Sequence, residues 1–91
     1  MKVYLSPQIN SEKINYSFNG EVITATYKEI TDTFNLSIFP DGAEFMGVET
    51  TLEVNPIVSV KRESGILNVE LINFIDEDAT EQEKFPEWME V

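Results

Sequence analysis

The side chains of this 91-residue chain that could do chemistry are carboxylates: seventeen Asp and Glu stand against six Lys and Arg, with no Cys and no His. Carboxylates alone can work as a catalytic acid–base pair, as ligands of a hard cation, or as an electrostatic lure for a basic partner. A pair for glycoside chemistry needs a set separation inside a sugar-binding cleft, and a β domain this small has little room for one. Ser and Thr are present, but without His or Cys no conventional nucleophilic triad can form, and no Gly-x-Ser-x-Gly turn occurs. The four glycines make no phosphate-cradling loop. The expectation is a non-enzyme with no catalytic residue and no cofactor.

The acids crowd toward one end. Residues 76–91 hold Asp76, Glu77, Asp78, Glu81, Glu83, Glu87 and Glu90 against Lys84, a net charge of −6, which leaves −5 of the total −11 for the other 75 residues. Calcium coordination by Asp76, Glu77 and Asp78 fits poorly. A calcium loop needs carboxylates at alternating positions and a central Gly, but Glu77 breaks the spacing and no Gly follows. No metal is expected. A solvated acidic tail or a basic protein partner remains. The same segment carries Phe85, Pro86 and Trp88, and aromatics of this kind anchor interfaces or close the end of their own domain. The candidate partner-binding residues are therefore Phe85, Trp88, Asp76, Glu77, Asp78 and Glu81. Lys61-Arg62 is the only basic pair and reads as an exposed hairpin end. Two cations cannot offset the acidic field, so no direct nucleic-acid binding is expected.

The elements that must position these residues have a period of two. Asn19-Gly20 separates Ile14–Phe18 from Glu21–Tyr27 and suits a type I′ turn. That turn pairs Phe18 with Glu21, Tyr16 with Ile23, Ile14 with Ala25 and Glu12 with Tyr27, giving one mostly apolar and one mostly polar face. Ile30, Phe34, Leu36 and Ile38 continue the alternation until Phe39-Pro40-Asp41-Gly42 breaks it. A strand is expected from Phe45 to Val54, with Met46, Val48, Leu52 and Val54 on one face and Gly47 marking a bulge. A second hairpin turns at Ser64-Gly65, with Val60 facing Val69, Val58 facing Leu71, Ser59 meeting Glu70 and Ile57 meeting Ile72. One or two helical turns are expected over residues 78–84, with Asp78 as N-cap, Glu81 at N3 and Pro86 as the stop. The fold class is all-β: a small antiparallel sandwich or partly open barrel of about six strands, with a short C-terminal helical turn. Residues 1–75 form the β domain, and residues 76–91 form an acidic tail docking on it or on a partner.

The charge does not imply disorder, because 42% of residues are hydrophobic and 11% aromatic, far above what acidic disordered segments carry. The core is still modest for a chain this short, so homo-oligomerisation is a ready route to further stability. No apolar run approaches a membrane span, and Lys2 is not followed by a signal-peptide h-region, so a cytoplasmic location is expected.

The run Asn55-Pro-Ile-Val-Ser-Val-Lys-Arg-Glu-Ser-Gly-Ile-Leu-Asn-Val-Glu-Leu-Ile-Asn-Phe74, followed by Asp78-Ala-Thr-Glu-Gln-Glu-Lys-Phe-Pro-Glu-Trp88, resembles small uncharacterised proteins of tailed phages and prophages of Gram-positive bacteria. The opening Met1-Lys-Val-Tyr-Leu-Ser-Pro-Gln-Ile-Asn10 is similar to the same group. The resemblance lies in overall texture and carries no catalytic motif. It implies a setting in the host cytoplasm or on the virion. The leading expectation is a non-enzymatic phage structural or assembly accessory protein with a protein partner, one candidate being a phage structural protein. The alternative is an acidic inhibitor that mimics DNA toward a host nucleic-acid-binding protein. A third class, a small hydrolase or carbohydrate-binding module using paired acids and Trp88, is distinguishable by glycan binding.

Overall fold

Alternation of apolar and polar residues produces two packed sheets in the computed structural model, which describes residues 1–45 and 49–91. Its elements are β1 (Lys2–Ile9), β2 (Ile14–Asn19), β3 (Val22–Tyr27), β4 (Ile30–Asn35), β5 (Glu44–Phe45), β6 (Ile57–Glu63), β7 (Ile66–Ile75), α1 (Glu81–Lys84) and β8 (Met89–Glu90). One sheet has the order β5-β6-β7-β1-β8 and the other β2-β3-β4. The fold is all-β and open, matching a small sandwich. One pairing is not antiparallel: β1 lies parallel to β7 along its full length, from Lys2 beside Asn68 to Ile9 beside Ile75.

The inner faces meet in a core of Val3, Val60, Leu67, Val69 and Leu71 from the larger sheet and Ile14, Ile23, Ala25, Tyr27 and Phe34 from the smaller. Tyr16 spans the gap, its hydroxyl donating to the Ile72 carbonyl, and burial raises the phenol's pKa.

The first hairpin differs from the sequence reading by two residues. Asn19 pairs with Val22, Phe18 with Ile23, Tyr16 with Ala25 and Ile14 with Tyr27. The loop is Gly20-Glu21 and only Gly20 has positive φ, at 59°, as a type II′ turn requires. The type I′ register would have placed Glu21 opposite Phe18 and Glu12 opposite Tyr27, two carboxylates on the apolar face. The shift removes both, and because it is even, every side chain keeps its face. The second hairpin turns at Ser64-Gly65, both with positive φ, and pairs Val60 with Val69 and Ser59 with Glu70 as expected. Beyond Ser59 a bulge absorbs Val58, so Ile57 pairs with Leu71 rather than Ile72.

The third expected strand, observed as β4, shortens to Ile30–Asn35. The Asn35 carboxamide accepts from the Ser37 amide and hydroxyl at 3.0 and 2.6 Å and turns the chain, leaving Leu36 buried and Ile38 exposed. The strand expected over Phe45–Val54 is likewise not continuous. Glu44–Phe45 pairs with β6, Met46, Gly47 and Val48 lie outside the described residues, and Glu49–Asn55 is irregular. Asp32 explains that irregularity: its Oδ2 accepts from Thr50 Oγ1 at 2.8 Å and from the Thr51 amide at 3.1 Å. These bonds hold the Asp32 carboxyl below its ordinary pKa.

Arg62 is not the exposed hairpin end that the sequence suggested. Its side chain is 11% exposed, and its fork meets both Glu21 oxygens at 2.9 Å. Nη1 also donates to the Gly65 carbonyl at 3.1 Å, Nη2 to the Leu36 carbonyl at 3.2 Å, and Nε to the Phe39 carbonyl. All five guanidinium N–H donors are thereby used. The hydrogen bonds with Arg62 hold the Glu21 carboxyl below its ordinary range and raise the guanidinium further.

The outer face of the three-stranded sheet carries no charge. Its cross-strand rows are Asn15-Thr26-Thr31, Ser17-Thr24-Thr33 and Asn19-Val22-Asn35. Hydroxyl pairs link Thr26 with Thr31 at 3.0 Å and Thr24 with Thr33 at 3.4 Å.

Candidate functional site

The C-terminal segment leaves β7 through a turn built by Asp76. The Asp76 side chain accepts from the Asp78 amide at 3.0 Å, and its carbonyl accepts from the Ala79 amide at 3.2 Å. Lys13 fastens the root: its Nζ lies 3.6 Å from Asp76 Oδ2 and donates to the Phe74 carbonyl at 3.4 Å. The helical turn starts two residues later than the sequence reading placed it, with Thr80 rather than Asp78 as N-cap and Glu83 rather than Glu81 at N3. The reason is reciprocal bonding. Glu83 N donates to Thr80 Oγ1 and Thr80 N donates to Glu83 Oε1, both at 3.2 Å, while Asp78 is engaged in the preceding turn. The helix ends at Phe85, one residue before Pro86.

Beyond it the chain returns to its own sheet. Met89 and Glu90 pair antiparallel with Val3 and Lys2, and the Val91 amide donates to the Met1 carbonyl at 3.1 Å. Trp88 leans on Tyr4, ring centroids 5.6 Å apart and tilted by 42°. The tail therefore arches from the end of β7 to the start of β1, and an open groove of about 700 Å³ lies beneath the arch. Leu5 and Asn73 line the groove from the sheet, and the residues from Thr80 to Met89 other than Lys84 line it from the tail.

Of the six residues singled out from sequence, Phe85, Trp88 and Glu81 come together at this groove. Phe85 is 77% exposed and Trp88 51%. Asp76, Glu77 and Asp78 lie at the root turn and do not line it. Among the described residues, no three acidic side chains converge as a metal site would need. Among the described residues, the charged groups lining the groove are Glu81, Glu83 and Glu87, with no cation beside them. Such a site can hold an apolar side chain against Phe85, Leu5 and Met89 while its carboxylates meet positive charge.

Sequence reasoning missed Leu5, Met89, Glu83 and Glu87. The Thr80-x-x-Glu83 spacing is a capping-box signature that fixes where Glu83 points. The odd-numbered Val3, Leu5, Pro7 and Ile9, alternating with Lys2, Tyr4, Ser6 and Gln8, were the signal for β1. Compared with known proteins, the chain matches no family model, no curated protein and no solved structure.

Proposed function

We propose that this protein is a non-enzymatic interaction module that grips a protein partner at its C-terminal groove. The observation that carries the reading is the pair Phe85 and Trp88, largely exposed beside a groove whose charged lining is entirely acidic. Exposed aromatics beside apolar side chains such as Leu5 and Met89 are the usual energetic centre of an interface, and a rim of one charge sign selects the partner. The setting proposed is that of a phage or prophage structural or assembly accessory protein. It rests on the resemblance in overall texture described for residues 1–10, 55–74 and 78–88, which carries no functional motif.

The test is co-expression with the products of the neighbouring genes, followed by size-exclusion chromatography with light scattering. The wild-type protein is expected to form a defined complex with at least one of them, and the Phe85→Ala/Trp88→Ala double variant to lose it while keeping its circular dichroism spectrum. A complex that survives the double variant, or a wild-type chain that stays alone with every product, overturns the reading. Displacement of the partner by added DNA would move the protein to the class of DNA-mimicking inhibitors.

A further inference from the structure

The backbone of β1 divides its hydrogen-bonding groups by parity. The Asn10 amide donates to the Ile75 carbonyl at 3.0 Å, so the even-numbered residues of this stretch face β7. The Val91 amide donates to the Met1 carbonyl, so the odd-numbered residues face the opposite edge, where β8 lies. Two bonds at opposite ends of the strand thus agree. β8 covers that edge only at Lys2 and Val3. Among the described residues no strand pairs with the edge from Leu5 to Ile9, a stretch of five residues or about 16 Å, and the element that approaches β1 from the tail is the single helical turn α1. It offers the N–H of Leu5 and Ile9 and the carbonyls of Leu5, Pro7 and Ile9. Pro7 has no N–H to give, and its odd position puts that missing donor at the open edge rather than in the ladder with β7.

The groove lies over the sheet face that Leu5 of β1 shares with Asn73 of β7, so Leu5 belongs both to the groove and to the free edge, and Glu81, Glu83 and Glu87 line the groove from the tail. Resting on the interaction reading above, we infer that the partner binds as an added β-strand. A basic, extended segment pairs with the free edge of β1 from Leu5 to Ile9, its apolar side chains over Leu5 and Phe85 and its cations facing the three glutamates. Strand addition takes affinity from main-chain bonds and specificity from alternate side chains. A second copy of this chain is the poorer occupant, because it would bring another net −11 to a rim that is already acidic.

The probe is a six-residue peptide of alternating Lys and Val, titrated against the ¹⁵N-labelled full chain. A Glu/Val peptide and a Lys/Val peptide N-methylated at alternate amides serve as comparisons. The Lys/Val peptide is expected to slow hydrogen exchange at the Leu5 and Ile9 amides, to shift Trp88 fluorescence, and to weaken with salt. The other two peptides are expected not to bind. Ile9→Pro removes one edge donor while leaving the ladder to β7 intact, and should weaken the peptide about three- to tenfold. Gln8→Pro, one residue away, removes a ladder donor and should lower the melting temperature instead. If the Lys/Val peptide binds without protecting Leu5 and Ile9, or its methylated form binds equally well, the strand-addition inference falls and the groove reading stands. Absence of binding by the Lys/Val peptide at low salt, or a concentration-dependent dimer occupying the edge, also overturns the inference. Failure of the groove reading is seen separately, as a partner complex that survives Phe85→Ala/Trp88→Ala.

Discussion

Arg62 and Glu21 show how one side chain can decide the register of a hairpin. A guanidinium with little exposure costs free energy unless its donors are used, and here carbonyls of Leu36, Phe39 and Gly65 join the Glu21 carboxylate to use all five. Glu21 can reach it because it sits in the Gly20-Glu21 turn and not on a strand. The pair lies between β6 and the turn of the smaller sheet, so it links the two layers. Its pH dependence has a definite sign. The Glu21 and Asp32 carboxyls lie below their ordinary pKa values, so the folded state releases their protons more readily than the unfolded chain does. The stability they supply is complete above the unfolded carboxyl range, near pH 4–4.5, and is lost as pH falls through the folded values. Glu21→Gln should therefore lower the urea midpoint at pH 7, and the gap to wild type should close as pH drops below about 4. A gap that stays constant from pH 7 to 3 would contradict this account. Arg62→Lys should restore little of the linkage, because an ammonium cannot form the fork.

At the scale of elements, the local signals in the sequence were legible and the distant ones were not. Both hairpins announced themselves through Asn19-Gly20 and Ser64-Gly65, and the alternation of Ile14, Tyr16, Phe18, Ile23, Ala25 and Tyr27 fixed the buried face even though the register moved by two. β1 was hidden by Pro7, which argues against a strand unless the side to which its amide would point is known. That side is set by β7, more than sixty residues away, and a parallel pairing leaves no turn to betray it. The groove was half legible: aromatics and acids marked the tail, but its floor belongs to β1. The turn from β3 to β4 was also invisible, because Lys28 and Glu29 are not turn residues although both take positive φ, at 50° and 67°. Left-handed backbone costs an L-residue about 1–2 kcal/mol, and a glycine loses about 0.5–1 kcal/mol more entropy on folding. Glu29→Gly should therefore stabilise by about 0.5–1 kcal/mol, read as a higher urea midpoint with an unchanged slope. Lys28 is the wrong residue to replace, since its Nζ lies 3.1 Å from Glu53 and 5.4 Å from the Tyr27 ring centroid.

At the scale of the whole molecule, repulsion competes with pairing. The described ion pairs Lys13–Asp76, Lys28–Glu53, Lys61–Glu63 and Arg62–Glu21 set four of the six basic residues against acids, while seventeen acids share one small surface. Exposed pairs contribute little, and the excess of like charge opposes the compact state throughout. Salt at about 0.1 M shortens the reach of these charges to about 10 Å, which relieves distant repulsion more than it weakens pairs in contact. The melting temperature should therefore rise as sodium chloride is increased from about 0.01 to 0.3 M, the reverse of a fold held by its salt bridges. A fall over that range would show that the pairs outweigh the net charge.

The rows of Asn, Ser and Thr on the three-stranded sheet, with Val22 among them, leave one plane of this anionic molecule without a charge of its own. Those nine positions face away from the larger sheet, and it is the larger sheet that carries the acidic tail. Charge on this molecule is therefore uneven: this plane supplies none of the net −11, and the acids lie elsewhere on the surface. An anionic surface is repelled least where it meets this plane. A cationic body is drawn instead to the parts of the surface that carry the acids.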